Sequence, residues 1–284
     1  MSVPGTVVLG VLLLSVLVVG CVGTSPDEAP GSAEALPTGL VGPVAPTTGP
    51  GALRFVVLGD SYAYGVGVPQ ADRWSNQLAR ILRPDVDIEI VANLSGRSTA
   101  SADVIQEQLP QLVQLDPQFV GLQVGVNDAI IETPPATYAA NMGVILDTVL
   151  ARVHRADRVV VLTTPDVTLT PNGPSLVKDP VATKARIQAL NVLLRVAAAE
   201  RGIAVVDVSP ISDRVQEDPS LVASDGLDPS GKQYAGWADL VATTVRQLFA
   251  AAAASAEASE QPTVSANQRT SVSPTGVPAA SVSP

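Results

Sequence analysis

The chain has 284 residues, 46% hydrophobic, 15% charged and only 3% aromatic, a length that suits one globular domain with tails. A net charge of −10 with scattered basic residues argues against a nucleic-acid-binding surface, and no nucleic-acid partner is expected. A single cysteine and a single histidine exclude an internal disulfide and the familiar zinc-site spacings, so neither metal nor other cofactor is expected.

The ends differ from the middle: the first Lys or Arg is Arg54, and only Arg269 lies beyond residue 250. Val7 to Val19 form a 13-residue apolar run that stops at Gly20-Cys21. It is shorter than the roughly 20 residues that cross a bilayer. Ending as it does in Val18-Val19-Gly20-Cys21, the segment 1–21 resembles a bacterial lipoprotein signal peptide. The resemblance implies lipid on Cys21 and attachment to the outer face of the cytoplasmic membrane, in the bacterial cell envelope. One departure is that no Lys or Arg precedes Val7, where such signals carry positive charge. A plain signal peptide, hence a secreted protein, or a short membrane anchor are the alternatives. Residues 22–52, rich in Pro, Gly, Ala, Ser and Thr, read as a disordered tether reaching roughly 30 Å. Residues 251–284 read as a disordered low-complexity tail that begins with an alanine run.

Between the tails, residues 53–250 alternate short apolar runs with helical periods. Arg54 to Leu58, Ile88 to Ala92, Phe119 to Val124, Arg158 to Leu162 and Ala204 to Val208 read as five strands buried on both faces. Tyr138, Met142, Ile145, Leu146, Val149, Leu150 and Val153 keep helical spacing, as do Tyr234, Trp237, Leu240, Val241, Val245, Leu248 and Phe249. Strand and helix in alternation argue for an α/β fold with a parallel sheet covered on both sides. In such sheets the ligand site lies beyond the carboxyl ends of the strands.

The polar residues at those ends are Gly59-Asp60-Ser61, Asn93-Leu94-Ser95-Gly96, Gly125-Val126-Asn127-Asp128 and, before the last helix, Asp225-Gly226-Leu227-Asp228. Each alone is an ordinary turn or helix entry. In this order they resemble the SGNH, or GDSL, hydrolase superfamily of esterases, lipases and acylhydrolases, over Leu53 to about Phe249. The stretches Thr164-Pro165-Asp166-Val167 and Ser224 to Asp239 share the likeness. The resemblance implies a flavodoxin-like three-layer sandwich, with Ser61 as nucleophile. It also implies an oxyanion hole made of the Ser61 amide, the Gly96 amide and the Asn127 side chain. Such donors suit ester hydrolysis, which passes through a tetrahedral oxyanion.

The superfamily's last motif is Asp-x-x-His, and here Asp225 and Asp228 stand at those positions, so the base position holds a carboxylate. The only histidine, His154, precedes the fourth strand and falls at the opposite end of the sheet. Two carboxylates a helical turn apart repel, which raises the pKa of one and makes Asp228 a weak base on Ser61, with Asp225 supporting it. The substrate class is then a small acyl ester or an acylated glycan. The competing expectation is a catalytically silent relative that binds an acylated or glycan ligand. A third is a hard-cation site formed by Asp60, Asp128, Asp225 and Asp228; against it, Asp60 and Asp128 are expected to accept backbone amides in their own turns.

Overall fold

The computed structural model describes residues 51–260. The apolar run, Cys21 and nearly all of the tether lie outside the described residues, as does the chain beyond residue 260.

The first strand, β1 (Leu53–Gly59), forms where Leu, Val and Phe make a continuous apolar run, and it ends at Gly59. A one-turn helix α1 (Ser61–Tyr64) follows, then α2 (Trp74–Leu82) and β2 (Ile88–Asn93). Next come α3 (Ser101–Asp103), one π-helical turn at Val104–Gln108 and α4 (Leu109–Leu115). The central strand β3 (Phe119–Gln123) leads into α5 (Val126–Ile130) and the long α6 (Pro135–Val153). After β4 (Val159–Leu162), α7 (Pro180–Ala199) crosses to β5 (Ala204–Val206); α8 (Ser209–Ser212) and α9 (Gly231–Glu260) complete the domain.

All five strands are parallel, in the order β2-β1-β3-β4-β5. Helices α2 and α9 pack together, while α6 packs against α3, α4 and α7. This is the covered parallel sheet expected from the alternation of strand and helix, in the three-layer, flavodoxin-like form that the family resemblance implies. Strand order reverses between β1 and β3, and that crevice is where open sheets of this kind bind ligands.

The core is aliphatic around a few large rings. Phe55, Phe119 and Trp74 meet edge to face, with centroid separations of 5.1 Å for Phe55–Phe119 and 6.2 Å for Phe55–Trp74. A Cβ on Gly121 would lie 2.7 Å from the Trp74 ring, so the small residue on β3 is what lets the ring lie down. Each fully buried Val or Leu contributes about 1.5 to 3 kcal/mol, and β3 and β4 are buried along their whole length.

Two expectations need correction. Burial on both faces does not extend to β2 and β5, which are half-buried because they are the sheet's edges. The last helix does not stop near residue 250 but runs on to Glu260. The alanine run read as the start of a tail is made of the strongest helix former and continues a helix already nucleated by packing.

Candidate active site

The crevice is shaped first by glycine. Gly59 ends β1 at φ +136°, and a Cβ there would lie 1.9 Å from the Gln123 carbonyl oxygen of β3. Both backbone groups of Gly59 are held by buried Gln108, whose Oε1 accepts from the amide and whose Nε2 donates to the carbonyl, each at 2.8 Å. Gly125, just beyond β3, has φ +145° and faces the Thr164 hydroxyl. Both turns take a backbone path that side-chain-bearing residues rarely follow.

Asp60 joins these two turns. Its carboxylate caps α1 by accepting from the Tyr62 amide at 3.0 Å and reaches across to accept from the Gly125 amide at 3.2 Å. Burial pushes its pKa from 3.8 up to about 7, against the amides of Tyr62, Gly125 and Val126, which favour the anion. Ser61 therefore opens α1 on a turn clamped to the β3 loop, and its own amide has no carbonyl within the helix to bond.

A second clamp holds the loop after β2. Asp128 accepts from the Ser101 amide at 2.8 Å and from the Ser101 hydroxyl at 2.6 Å, and Asn141 donates to the same hydroxyl at 2.9 Å. Asn127 donates from Nδ2 to the Thr99 carbonyl at 2.9 Å, which leaves its second amide hydrogen available.

Here the expectation for Gly96 fails. Its amide donates to the Gly59 carbonyl at 3.0 Å, extending the β1–β2 ladder, so it is not free to meet a ligand. The residues of this loop that reach the cavity are Arg97 and Ser98. Among the described residues no acceptor takes the Ser98 amide. Sequence reasoning passed over both residues, since nothing in Arg-Ser at a loop apex marks one amide over its neighbour.

The last segment is folded by its own carboxylate. Asp225 Oδ1 accepts from the amides of Leu227 at 2.8 Å and Asp228 at 2.9 Å, and Gly226 takes φ +71° between them. Asn172 ties this turn down, donating to the carbonyls of Asp225 at 2.6 Å from its side chain and of Gly226 at 2.9 Å from its backbone. Asp225 thus positions the backbone that carries Asp228.

Asp228 is 4% exposed, and its Oδ1 has no hydrogen-bond partner within the protein. Its pKa is pushed from 3.8 up to about 7, chiefly by burial and next by the negative charge of Asp225, while the Ser61 hydroxyl and Arg97 oppose the rise. The shift has the expected direction, but desolvation rather than repulsion leads it.

Ser61, Asn127 and Asp228 line one cavity of about 360 Å³, together with Tyr62, Arg97 and Ser98. The rest of its wall is apolar, from Val66, Val126, Ile130, Val167, Leu176 and Leu227. Three segments far apart in sequence are thus brought together, and Asp225 braces the third from behind. His154 is elsewhere: it ends α6 at φ +60°, exposed, at the amino end of β4.

The hard-cation arrangement is not formed either. Asp60 and Asp128 turn towards backbone amides and Ser101, and among the described residues no three carboxylates, histidines or cysteines gather as a metal site.

A Ser hydroxyl against a buried, raised-pKa carboxylate, with amide donors nearby, has the parts for nucleophilic attack on a carbonyl. Comparison with solved structures returns the same fold. An α/β hydrolase enzyme, LAE5, from the metagenome of Lake Arreo, Spain, has TM-score 0.54 and 18% identity, covering 70% of this chain and 97% of that one. The acetylxylan esterase Axe2 of Geobacillus stearothermophilus has TM-score 0.54 and 15% identity, covering 69% and 95%. A lipase/acylhydrolase of Enterococcus faecalis has TM-score 0.53 and 19% identity, covering 69% and 96%. No curated protein matches the sequence significantly. The family model of GDSL-like lipases and acylhydrolases matches residues 57–236, a span that runs from β1 into α9 and includes every residue of the cavity, and the chain belongs to that family.

Proposed function

We propose that the protein is a carboxyl-ester hydrolase in which Ser61 is the nucleophile and Asp228, at the position of the family's histidine, is the general base. The observation that carries this reading is the buried Asp228 carboxylate, one oxygen of which has no partner within the protein, beside the Ser61 hydroxyl in one cavity, with a pKa brought up to about 7. An ordinary carboxylate is a poor base at neutral pH. One that titrates near the working pH removes a proton with much of the driving force that imidazole would supply.

In the first half-reaction the Ser61 Oγ–H bond breaks, the proton passes to Asp228, and Oγ bonds to the acyl carbon. The oxyanion so formed is met by the amides of Ser61 and Ser98 and the free Asn127 hydrogen, a set in which Ser98 replaces Gly96. Donors of this kind each contribute about 3 to 4 kcal/mol in comparable hydrolases. Collapse of the intermediate breaks the ester C–O bond, and the alcohol leaves with the Asp228 proton. A water then gives its proton to Asp228 and attacks the acyl-serine, and the acid departs as Ser61 regains its hydrogen.

The apolar wall suits a short acyl chain. Lipid on Cys21 and the tether that follows would hold this domain outside the cytoplasmic membrane, a proposal supported by the Val18-Val19-Gly20-Cys21 sequence. The test is hydrolysis of a short-chain aryl ester by the full chain, with Ser61→Ala as control. Activity lost with the hydroxyl supports the reading; activity that survives Ser61→Ala overturns the nucleophile. A folded protein with no activity on any short-chain ester points to a silent ligand-binding relative.

A further inference from the structure

Arg97 is the one basic residue that lines the cavity, and it comes from the loop whose path is set by Asn127 and Asp128. Among the described residues its guanidinium belongs to no ion pair and donates to no acceptor. A guanidinium is always charged and offers a planar fork of donors matched to carboxylate and phosphate oxygens. It stands at a pocket with an apolar wall on which the substrate's hydrocarbon can lie, beside the Ser61 that would attack it. The cavity therefore presents one cationic point, one apolar face and a reacting hydroxyl. A neutral ester would leave the first of these unused.

We propose, resting on the hydrolase reading above, that the substrate is an anionic ester: an acyl ester bearing a carboxylate or phosphate a few bonds from the scissile carbonyl, held by Arg97. Arg97 also relieves the electrostatic problem that an anionic substrate raises. Asp228 must be ionised to act, and an anionic substrate would be repelled by it unless a cation stood in the same cavity. Arg97 already acts on Asp228 through space in the sense that favours its ionised form.

The experiment uses the full chain at pH 9, where Asp228 is ionised in wild type and variant alike. Two pairs of substrates place the charge on either half of the ester. One is 4-nitrophenyl butyrate against the 4-nitrophenyl monoester of glutaric acid; the other is monobutyrin against 1-butyrylglycerol 3-phosphate. For at least one pair, kcat/KM should favour the anionic member. Arg97→Gln should reduce that preference by at least about tenfold, mostly through KM, as loss of a charge-assisted hydrogen bond implies. Arg97→Lys should recover part of it. Which pair responds identifies the half that bears the charge. Equal rates within both pairs, or a preference that Arg97→Gln leaves intact, overturns the proposal while Ser61-dependent turnover of neutral esters keeps the hydrolase reading standing. Should no ester be hydrolysed, that reading falls, and calorimetric titration with hexanoate and hexyl phosphate decides for Arg97. Binding that Arg97→Gln abolishes supports anion recognition; no binding, or binding unchanged by the substitution, refutes it.

Discussion

The chemistry turns on two carboxyl groups whose environments give them different tasks. Asp60 is buried next to Ser61 and accepts amides from both sides of the crevice, which assigns it a positioning task. Asp228 is buried with one oxygen unpartnered and lines the cavity together with Ser61, an arrangement that suits the proposed base. As the proposed base it acts only when deprotonated, so kcat/KM on a neutral ester should rise through an acid limb near pH 7 and level off above it. An acid limb near pH 4 would show that the carboxylate is not raised in the working enzyme. Asp228→Asn keeps the shape and removes the base, so turnover should fall about a thousandfold or more. Asp228→His should keep substantial activity, read from the same assay in a variant shown to be folded. Asp60→Asn would set an NH₂ group against an amide donor; a loss of about 1 to 3 kcal/mol in denaturant unfolding is expected.

At the scale of elements, the site exists because β1 and β3 are neighbours while the loops after them diverge at the switch in strand order. Gly59 is where this arrangement is least forgiving. Gly59→Ala would drive a methyl into the Gln123 carbonyl, and its urea midpoint should fall further than that of Gly51→Ala, where no neighbour lies within 4 Å; equal midpoints would contradict the packing described. The strands were readable in advance because continuous Val, Ile and Leu runs suit a sheet covered on both faces. The rim was readable because polar turns follow those runs. Which residues of the 94–98 loop reach the cavity was not readable, since it depends on Gly96 completing the ladder to Gly59 and on Asp128 gripping Ser101 from another element. The cause of the Asp228 shift was hidden for the same reason. Spacing announces that Asp225 is close; burial beneath a cavity wall drawn from other loops does not show in a local motif. The end of α9 is concealed in the sequence because its alanine run has the low complexity of a tail and the propensity of a helix.

For the whole molecule, the two raised carboxyls make stability depend on pH in an unusual sense. Both titrate near 3.8 in an ordinary setting and near 7 here, so between about pH 4 and 7 the folded chain holds protons that the unfolded chain has released. Their contribution is complete below pH 4 and is lost as pH rises towards 7. Scanning calorimetry should therefore show Asp228→Asn gaining in Tm relative to wild type as pH is raised from 5 to 8. A constant difference over that range would mean the carboxyl is not raised. The proposed attachment to a membrane has its own measurement. Growth with a labelled fatty acid should tag the full chain and leave Cys21→Ser untagged, and equal labelling of both would remove the anchor. The central claim, that Ser61 is activated by the Asp228 carboxylate, is tested most directly by reacting the full chain with an alkyl fluorophosphonate and mapping the adduct by mass spectrometry as pH is varied. The adduct should form on Ser61 at a rate that rises with a midpoint near pH 7 and collapses in Asp228→Asn. An adduct on another residue, or Ser61 labelling indifferent to pH and to Asp228, would contradict it.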